Sequence, residues 1–310
     1  MKTEKGLPLS IVATVYNDAG ITPVLVDEIV KAVQPLKIDF EIILVNDCSS
    51  DGSEEVIRGL CAKFPFVKGI SLARNFGQQI AVCAGVVRTQ GDYVVVMDGD
   101  LQNPPSAIPR LYEKIQAGHD LVYAVSHVRN NAADDFSSRF FWFILHDICK
   151  VDIVPNQLML KIMNRRVAAA FKDYPEISRT VEGIVGDIAT NYAVIEVENQ
   201  KRRMGSSHYN FLKRVNLMIE MIISLTSAPL NFMIYFGTLM SFLTMVGSVY
   251  YVVDYLRGDI LPGFTSILLS IFFFGSLILL MLGFIGKYLA NIYGEVRRRP
   301  LFHVSKTFNL

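Results

Sequence analysis

The sequence predicts an α/β domain with a mostly parallel sheet, followed by an interfacial amphipathic helix and two transmembrane helices. Three observations carry this. Apolar, β-branched runs alternate with helical segments in the first half, each run ends in polar residues, and two long uncharged runs follow residue 215. At 310 residues the chain holds one large domain plus something extra. Hydrophobic content of 51% and a mean hydropathy of +0.34 are high for a soluble protein, and the excess lies almost wholly in the C-terminal third. A net charge of +1 with no long basic arm gives no reason to expect a nucleic-acid partner. Cys48, Cys61, Cys83 and Cys149 form no C-x-x-C pair and read as reduced thiols of a cytosolic domain. The polar start, Met1 to Pro8, predicts no signal peptide.

Leu9 to Val15 reads as a strand that runs into Tyr16-Asn17-Asp18; a helix over Thr22 to Val33 and a second strand, Phe40 to Val45, follow. Strand, helix, strand is the unit of a parallel sheet, whose ligands bind beyond the carboxyl ends of its strands. Tyr16 offers a face for stacking there, and Asp18 and Asp47 offer acceptors for a base N–H. In Asn46-Asp47-Cys48-Ser49-Ser50-Asp51-Gly52-Ser53, Ser50, Asp51 and Ser53 read as caps of the helix opening at Glu54. Asp47 is too early to cap. A third strand, Val67 to Leu72, leads into Ala73-Arg74-Asn75-Phe76-Gly77-Gln78, where Arg74 suits either a diphosphate or a surface salt bridge. A helix from Gln78 to Arg88 and the turn Thr89 to Asp92 then deliver a fourth strand, Tyr93 to Val96.

That strand ends in Met97-Asp98-Gly99-Asp100-Leu101-Gln102-Asn103-Pro104-Pro105. Two carboxylates at the end of a buried strand are costly without a partner, and a bound cation removes that cost. Magnesium and manganese take hard oxygen ligands, commonly one or two carboxylates plus nucleotide phosphates. Asp98, Asp100 and the amide oxygen of Gln102 supply such a set. As a bare tripeptide, Asp-Gly-Asp is equally an ordinary turn. No G-x-G-x-x-G and no G-x-x-x-x-G-K-S/T occurs in this half, against a dinucleotide fold and a P-loop.

V-Y-N-D at 15–18, V-N-D-C-S-S-D-G-S at 45–53, A-R-N-F-G-Q at 73–78 and M-D-G-D-L-Q-N-P-P at 97–105 together resemble the family 2 glycosyltransferases. More narrowly, the chain is similar to the dolichyl-phosphate mannose synthase-like polyisoprenyl-phosphate glycosyltransferases of bacteria, over nearly its whole length. The resemblance implies a nucleotide-diphospho-sugar-binding domain of glycosyltransferase A type. It implies that Thr14, Tyr16, Asp18, Asp47 and Arg74 bind the nucleotide. Asp98, Asp100 and Gln102 would hold Mg2+ or Mn2+ on the diphosphate, with Asp98 and Asp100 counted as catalytic. A divalent cation suits this chemistry because the departing nucleoside diphosphate gains negative charge.

A helix over Ser106 to Ala117 and a strand over Asp120 to Ser126 come next. Arg129 beyond them is a candidate phosphate ligand or a solvated loop residue. Phe136, Phe140, Phe141, Trp142 and Phe143 have helical spacing and suit either lipid or a core. Where relatives carry Asp-x-Gly-Asp-Phe-Arg-Leu, this chain has Asn156-Gln157-Leu158-Met159-Leu160-Lys161-Ile162, so the acceptor-side acidic residue is missing. A lipid phosphate is ionised at neutral pH and needs no general base. The rival inferences are a changed sugar specificity or lost catalysis. Gln200 to Tyr209 resembles the family's Arg-x-x-Gly-x-Ser-Lys-Tyr segment, with Arg202 and Ser207 matching and His208 in place of lysine. The resemblance gives Arg202 a catalytic role and assigns Arg202 and Ser207 to the diphosphate or lipid phosphate. A juxtamembrane basic patch is the plainer reading of the same residues.

Residues 211–228 read as the amphipathic interfacial helix, after a cytoplasmic domain over 1–210. Two spans fill 229–288, with a short charged loop near 254–263 and a cytoplasmic basic tail over 289–310. Each uncharged run exceeds the roughly 20 residues a span needs. Lys201, Arg202, Arg203, Lys213 and Arg214 precede the pair and Lys287, Arg297, Arg298 and Arg299 follow it, which places both ends in the cytoplasm. Gly237, Ser241 and Gly247 leave room for helix contacts, so a homo-oligomer is among the expected partners beside the bilayer, the nucleotide sugar and the polyisoprenyl phosphate. The resemblance implies inverting transfer from a UDP-sugar to undecaprenyl phosphate at the bacterial inner membrane. The alternatives are a catalytically degenerate scaffold that binds nucleotide sugar or lipid, and a carrier of lipid-linked sugar across the bilayer. Two spans without a central charge make a poor pathway for the latter.

Overall fold

The computed structural model describes residues 7–126, 154–173, 181–198, 228–257, 263–297 and 300–310, which fall into two units, one built on a sheet and one on two long helices. In the sheet unit β1 (Leu9–Val15), α1 (Thr22–Val33), β2 (Phe40–Asn46), α2 (Ser53–Lys63), β3 (Val67–Leu72), α3 (Gln78–Val86), β4 (Tyr93–Asp98), α4 (Ile108–Gln116) and β5 (Leu121–Ser126) alternate. Then come β6 (Gln157–Asn164), α5 (Arg165–Asp173), α6 (Val181–Ile188) and β7 (Tyr192–Val197), and β8 (Val304–Phe308) arrives from the C-terminus. The sheet order is β7-β5-β6-β4-β1-β2-β3-β8. β1 to β5 and β7 run one way, while β6 and β8 run against them.

Both sheet faces are covered, which is why the central strands read as unbroken apolar runs. Ile11, Ala13, Val15, Ile42, Leu44, Val95 and Met97 share one apolar layer with Leu25 of α1, Ile57 of α2 and Leu111 of α4. Val12, Ile43, Val45, Ile70, Val94 and Val96 share the other with α3 and with Val167, Phe171 and Val185 of α5 and α6. Each such side chain contributes about 1.5–3 kcal/mol by its burial. α1 starts with Pro23 in its first turn, buries Leu25, Val26, Ile29 and Val33 at three- and four-residue spacing, and gives way to a 3₁₀ turn at Gln34–Leu36.

At the amino ends of the strands one buried carboxylate ties four segments together. Glu41 accepts the Ser10 hydroxyl at 2.5 Å and the Gln90 amide at 2.8 Å, and pairs with the Lys68 ammonium at 2.7 Å. The Gly91 amide donates to the Ser10 hydroxyl at 2.8 Å. This polar clasp lies at the end of the sheet opposite the ligand-binding edge of such folds.

The segment without family carboxylates is a strand. β6 inserts between β4 and β5, with Lys161 opposite both Val96 and Tyr123. Lys161 is fully buried, its ammonium 5.6 Å from the centre of the Tyr123 ring. The C-terminal expectation needs correction: residues 304–308 are not a separate tail but the edge strand beside β3, and residues up to Val296 are still helix. Val304 and Phe308 are half-buried and the three residues between them exposed, as suits an edge strand, and β3 offers an unpaired edge to receive it.

In the second unit, α7 (Ala228–Leu256) and α8 (Phe264–Val296) have 29 and 33 residues. Among the described residues one stretch is long and apolar enough to cross a membrane, Ser270–Gly294 in α8, with a mean hydropathy of 2.0. Both helices expose large apolar side chains, among them Tyr235, Phe242, Phe272 and Leu279. The expected interfacial helix, the aromatic cluster at 136–143 and Cys149 lie outside the described residues. Cys48, Cys61 and Cys83 form no disulfide among the described residues, and burial pushes the Cys61 thiol up to about 11.

Candidate active site

The carboxyl ends of β1, β2 and β4 and the loop after β3 surround a cleft of about 300 Å3. β1 contributes Thr14, Val15, Tyr16 and Asp18, and β2 contributes Asp47. The loop into α3 adds Asn75, Gly77 and Gln78, and β4 adds Asp98, Gly99, Asp100 and Gln102. The sheet topology dictates this meeting, because parallel strands release their chains at one edge.

Two of the loops are laced to each other. The Asn17 backbone amide donates to the Ser49 hydroxyl and the Ser50 amide to the Asn17 side-chain Oδ1, each at 2.9 Å. The Asp18 amide donates to the Ser53 hydroxyl at 3.2 Å and the Ala19 amide to Asp51 at 2.9 Å. The capping expectation is therefore corrected: the N-cap of α2 is Gly52, at φ 88, with no side-chain cap. Asp51 does accept the Ser53 amide at 3.1 Å, but the hydroxyls of Ser49 and Ser53 serve the β1 loop. Non-glycine residues in the left-handed region follow the three strands that end at the cleft: Asn17 after β1, Cys48 after β2 and Leu101 after β4, at φ 55, 57 and 59. Each costs about 1–2 kcal/mol, a strain that accompanies functional turns.

Asp47 is 3% exposed and accepts the Phe76 amide at 2.8 Å and the Gly77 amide at 2.9 Å. It thus holds the third loop in place while still lining the cleft. Tyr16 is 51% exposed at the cleft mouth.

Asp98 and Asp100 flank Gly99, and that glycine is required. A β-carbon there would overlap the carbonyl oxygen of Thr14. The Gln78 side-chain amide donates to one Asp98 oxygen, and Asn103 donates to the other at 3.2 Å. Burial, reinforced by the Asp100 charge, pushes the Asp98 carboxyl up to about 6 against the pull of Gln78, Lys161 and Asn103. Such a pair is poised for a cation, whose charge offsets both penalties. Among the described residues no group of three or more His, Cys, Asp or Glu side chains forms a complete cage. Two carboxylates completed by phosphate oxygens fit Mg2+ or Mn2+, and the residues present fit that arrangement.

Of the residues picked out in the sequence, Thr14, Tyr16, Asp18, Asp47, Asp98, Asp100 and Gln102 come together at the cleft. Arg74 does not line it: the side chain is exposed and its guanidinium stacks 4.6 Å from the Phe76 ring centre. Arg129, Arg202 and Ser207 lie outside the described residues. Sequence reasoning missed Gln78, Asn103 and Lys161 as partners of Asp98. The signal for Lys161 was a lone charge inside the apolar run Leu158 to Met163.

A polar, carboxylate-bearing cleft beyond the carboxyl ends of parallel strands is the place where α/β folds of this class bind their ligands. Residues 10–168 match Glycosyl transferase family 2, and the chain belongs to that family and is a glycosyltransferase. It is 33% identical over 305 residues to the bactoprenol glucosyl transferase of Shigella phage SfII, covering 97% of this chain and 98% of the relative. It is 31% identical over 309 residues to the undecaprenyl-phosphate 4-deoxy-4-formamido-L-arabinose transferase of Shewanella sediminis, covering 96% and 91%. Among solved structures it is similar to glucosyl-3-phosphoglycerate synthase from Mycobacterium tuberculosis in complex with Mn2+ and UDP-glucose. That match has a TM-score of 0.49 and 17% identity, covering 72% of this chain and 79% of the other.

Proposed function

We propose that the chain transfers the sugar of a nucleotide-diphospho-sugar, with UDP as the carrier, to undecaprenyl phosphate at the cytoplasmic face of the bacterial inner membrane. The observation that carries the reading is the Asp98-Gly99-Asp100 pair in the cleft that Tyr16, Asp18 and Asp47 also line. The relatives' names support the acceptor, one printing bactoprenol and the other undecaprenyl phosphate, although their sugars differ.

Tyr16 offers its ring to the base, and Asp18 and Asp47 present acceptors to the base or ribose. Asp98 is held at both oxygens and, with Asp100 and Gln102, faces the diphosphate. Bound Mg2+ or Mn2+ supplies Lewis-acid stabilisation of the negative charge on the leaving diphosphate. An oxygen of the lipid phosphate attacks the anomeric carbon as the bond to the diphosphate oxygen breaks, inverting that carbon. The acceptor is already ionised, so no side chain need remove a proton. Arg129, Arg202 and Ser207 are assigned to the phosphates on the strength of the resemblance alone.

The membrane reading gains support from connectivity. The chain leaves the sheet unit after β7 and rejoins it as β8, so the number of crossings between them is even. α8 carries one apolar stretch of sufficient length, and α7, with 29 residues, supplies the second span. The degenerate-scaffold reading rests on one feature, the absence of a carboxylate over Asn156 to Ile162.

The test is incubation of the full-length protein in lipid with radiolabelled UDP- and GDP-sugars and undecaprenyl phosphate. Label entering the lipid extract from one donor is the expected result and names the sugar. No lipid-linked label from any donor, with nucleotide binding intact, favours the scaffold.

A further inference from the structure

β8 joins the sheet from the far end of the chain and pairs with β3 in the register Gly69↔Phe308, Ile70↔Thr307, Ser71↔Lys306 and Leu72↔Val304. The pairing does not stop at the strand end. The Ala73 amide donates to the His303 carbonyl at 2.8 Å. Side chains reinforce the ladder: the Ser305 hydroxyl donates to the Ser71 carbonyl at 3.0 Å, and the Asn309 amide donates to the carbonyls of Cys61 at 2.6 Å and Val67 at 3.0 Å. Lys306 pairs with Glu54 of α2 at 2.5 Å. Phe302 and Val304 pack on the same apolar layer as Phe76.

Ala73 is also where the cleft loop begins. From it the chain runs to Asn75, Gly77 and Gln78, which line the cleft. This loop gives Asp47 its two amide donors and Asp98 its Gln78 donor. Without β8, β3 would be a bare edge strand and the Ala73 amide would have no strand partner. We propose that β8 is a positioning element of the candidate active site: by pairing with β3 as far as Ala73 it fixes residues 73–78, and through them the carboxylates of Asp47 and Asp98. Its consequence for the donor rests on the nucleotide-sugar reading; the ordering of the loop does not.

Hydrogen–deuterium exchange on the full-length protein tests the ordering directly. In Thr307→Pro/Phe308→Pro, one of two adjacent strand amides must face β3, so the ladder is broken at either parity. The expected result is exchange of the Phe76 and Gly77 amides that is about tenfold faster, while amides of β1 and β4 keep their rates. Ser305→Ala/Asn309→Ala, which leaves the backbone ladder intact, serves where the proline variant does not fold and gives a smaller shift of the same pattern. Unchanged loop rates in the folded variants overturn the inference. So does loss of protection in β1 and β4 together with the loop, which marks β8 as a general stabiliser only. In parallel, affinity for UDP-glucose with Mn2+ is expected to fall about tenfold in the variant. Failure of the unmodified protein to bind any UDP-sugar counts against the donor reading and leaves the exchange result to decide the inference.

Discussion

Gly99 sits against the carbonyl oxygen of Thr14 so closely that no β-carbon fits between them. The Asp-Gly-Asp spacing thus has a steric cause: the chain carrying both carboxylates passes directly over the end of β1. Gly99→Ala is expected to cost about 1–3 kcal/mol in urea unfolding by overpacking. Transfer should fall by about 100-fold or more, because a shift near 1 Å in a reacting constellation has that effect. A variant with native turnover would show that the two strand ends move apart freely.

The clasp at the other end of the sheet separates stability from chemistry. Lys68→Met leaves the Glu41 carboxylate buried without its cation, and the unfolding free energy should drop by about 3 kcal/mol. The clasp is remote from the cleft loops, so KM for the donor in the folded fraction should stay unchanged. Denaturant titration beside donor kinetics reads both.

Acid stability has a local source in Asp120. The Arg166 guanidinium at 2.6 Å, with Asn164 and Thr190, holds its carboxyl down to about 2. A depressed carboxylate stabilises the fold above the unfolded value of 3.8, and this is lost as pH falls from there toward about 2. Arg166 is 58% exposed, so solvent screening reduces the contribution to about 1 kcal/mol. Arg166→Ala should raise the midpoint of acid unfolding and narrow the difference in stability between pH 7 and pH 3, because the lost contribution is full at pH 7 and only partial at pH 3, measured by urea titration at both pH values followed by far-UV circular dichroism.

The two crossings proposed above predict which positions lie on which side. A cysteine introduced at Gly258, between the two helices, should react with a membrane-impermeant maleimide added outside spheroplasts. One introduced at Ser305 should react only after lysis. Labelling of both from outside would contradict a cytoplasmic sheet unit.

The first half of the sheet was legible because its strands carry continuous apolar runs bounded by polar turns, a local signal from Leu9 through Asp98. The cleft was legible for the same reason: parallel strands deliver their ends to one edge, so Tyr16, Asp18, Asp47 and Asp98 meet wherever the alternation holds. What failed was non-local. β6 runs antiparallel in mid-sheet between strands made far earlier, and β8 joins β3 across more than two hundred residues. Neither pairing leaves a trace in local periodicity. The loop chemistry misled in a different way. Ser50, Asp51 and Ser53 have the composition of helix caps, but Asp51 and Ser53 accept amides of the neighbouring β1 loop and the Ser50 amide donates to the Asn17 side chain, so tertiary bonds won.

In the proposed function Asp98 and Asp100 hold the cation on which departure of the nucleotide depends. The most direct measurement of this is sugar transfer to undecaprenyl phosphate by the full-length protein and by Asp100→Asn, first in EDTA and then with Mn2+ restored. The expected outcome is no transfer in EDTA, recovery of the parent with Mn2+, and at least about a 100-fold deficit in the variant that Mn2+ does not repair. Undiminished transfer in EDTA, or by Asp100→Asn, would contradict it.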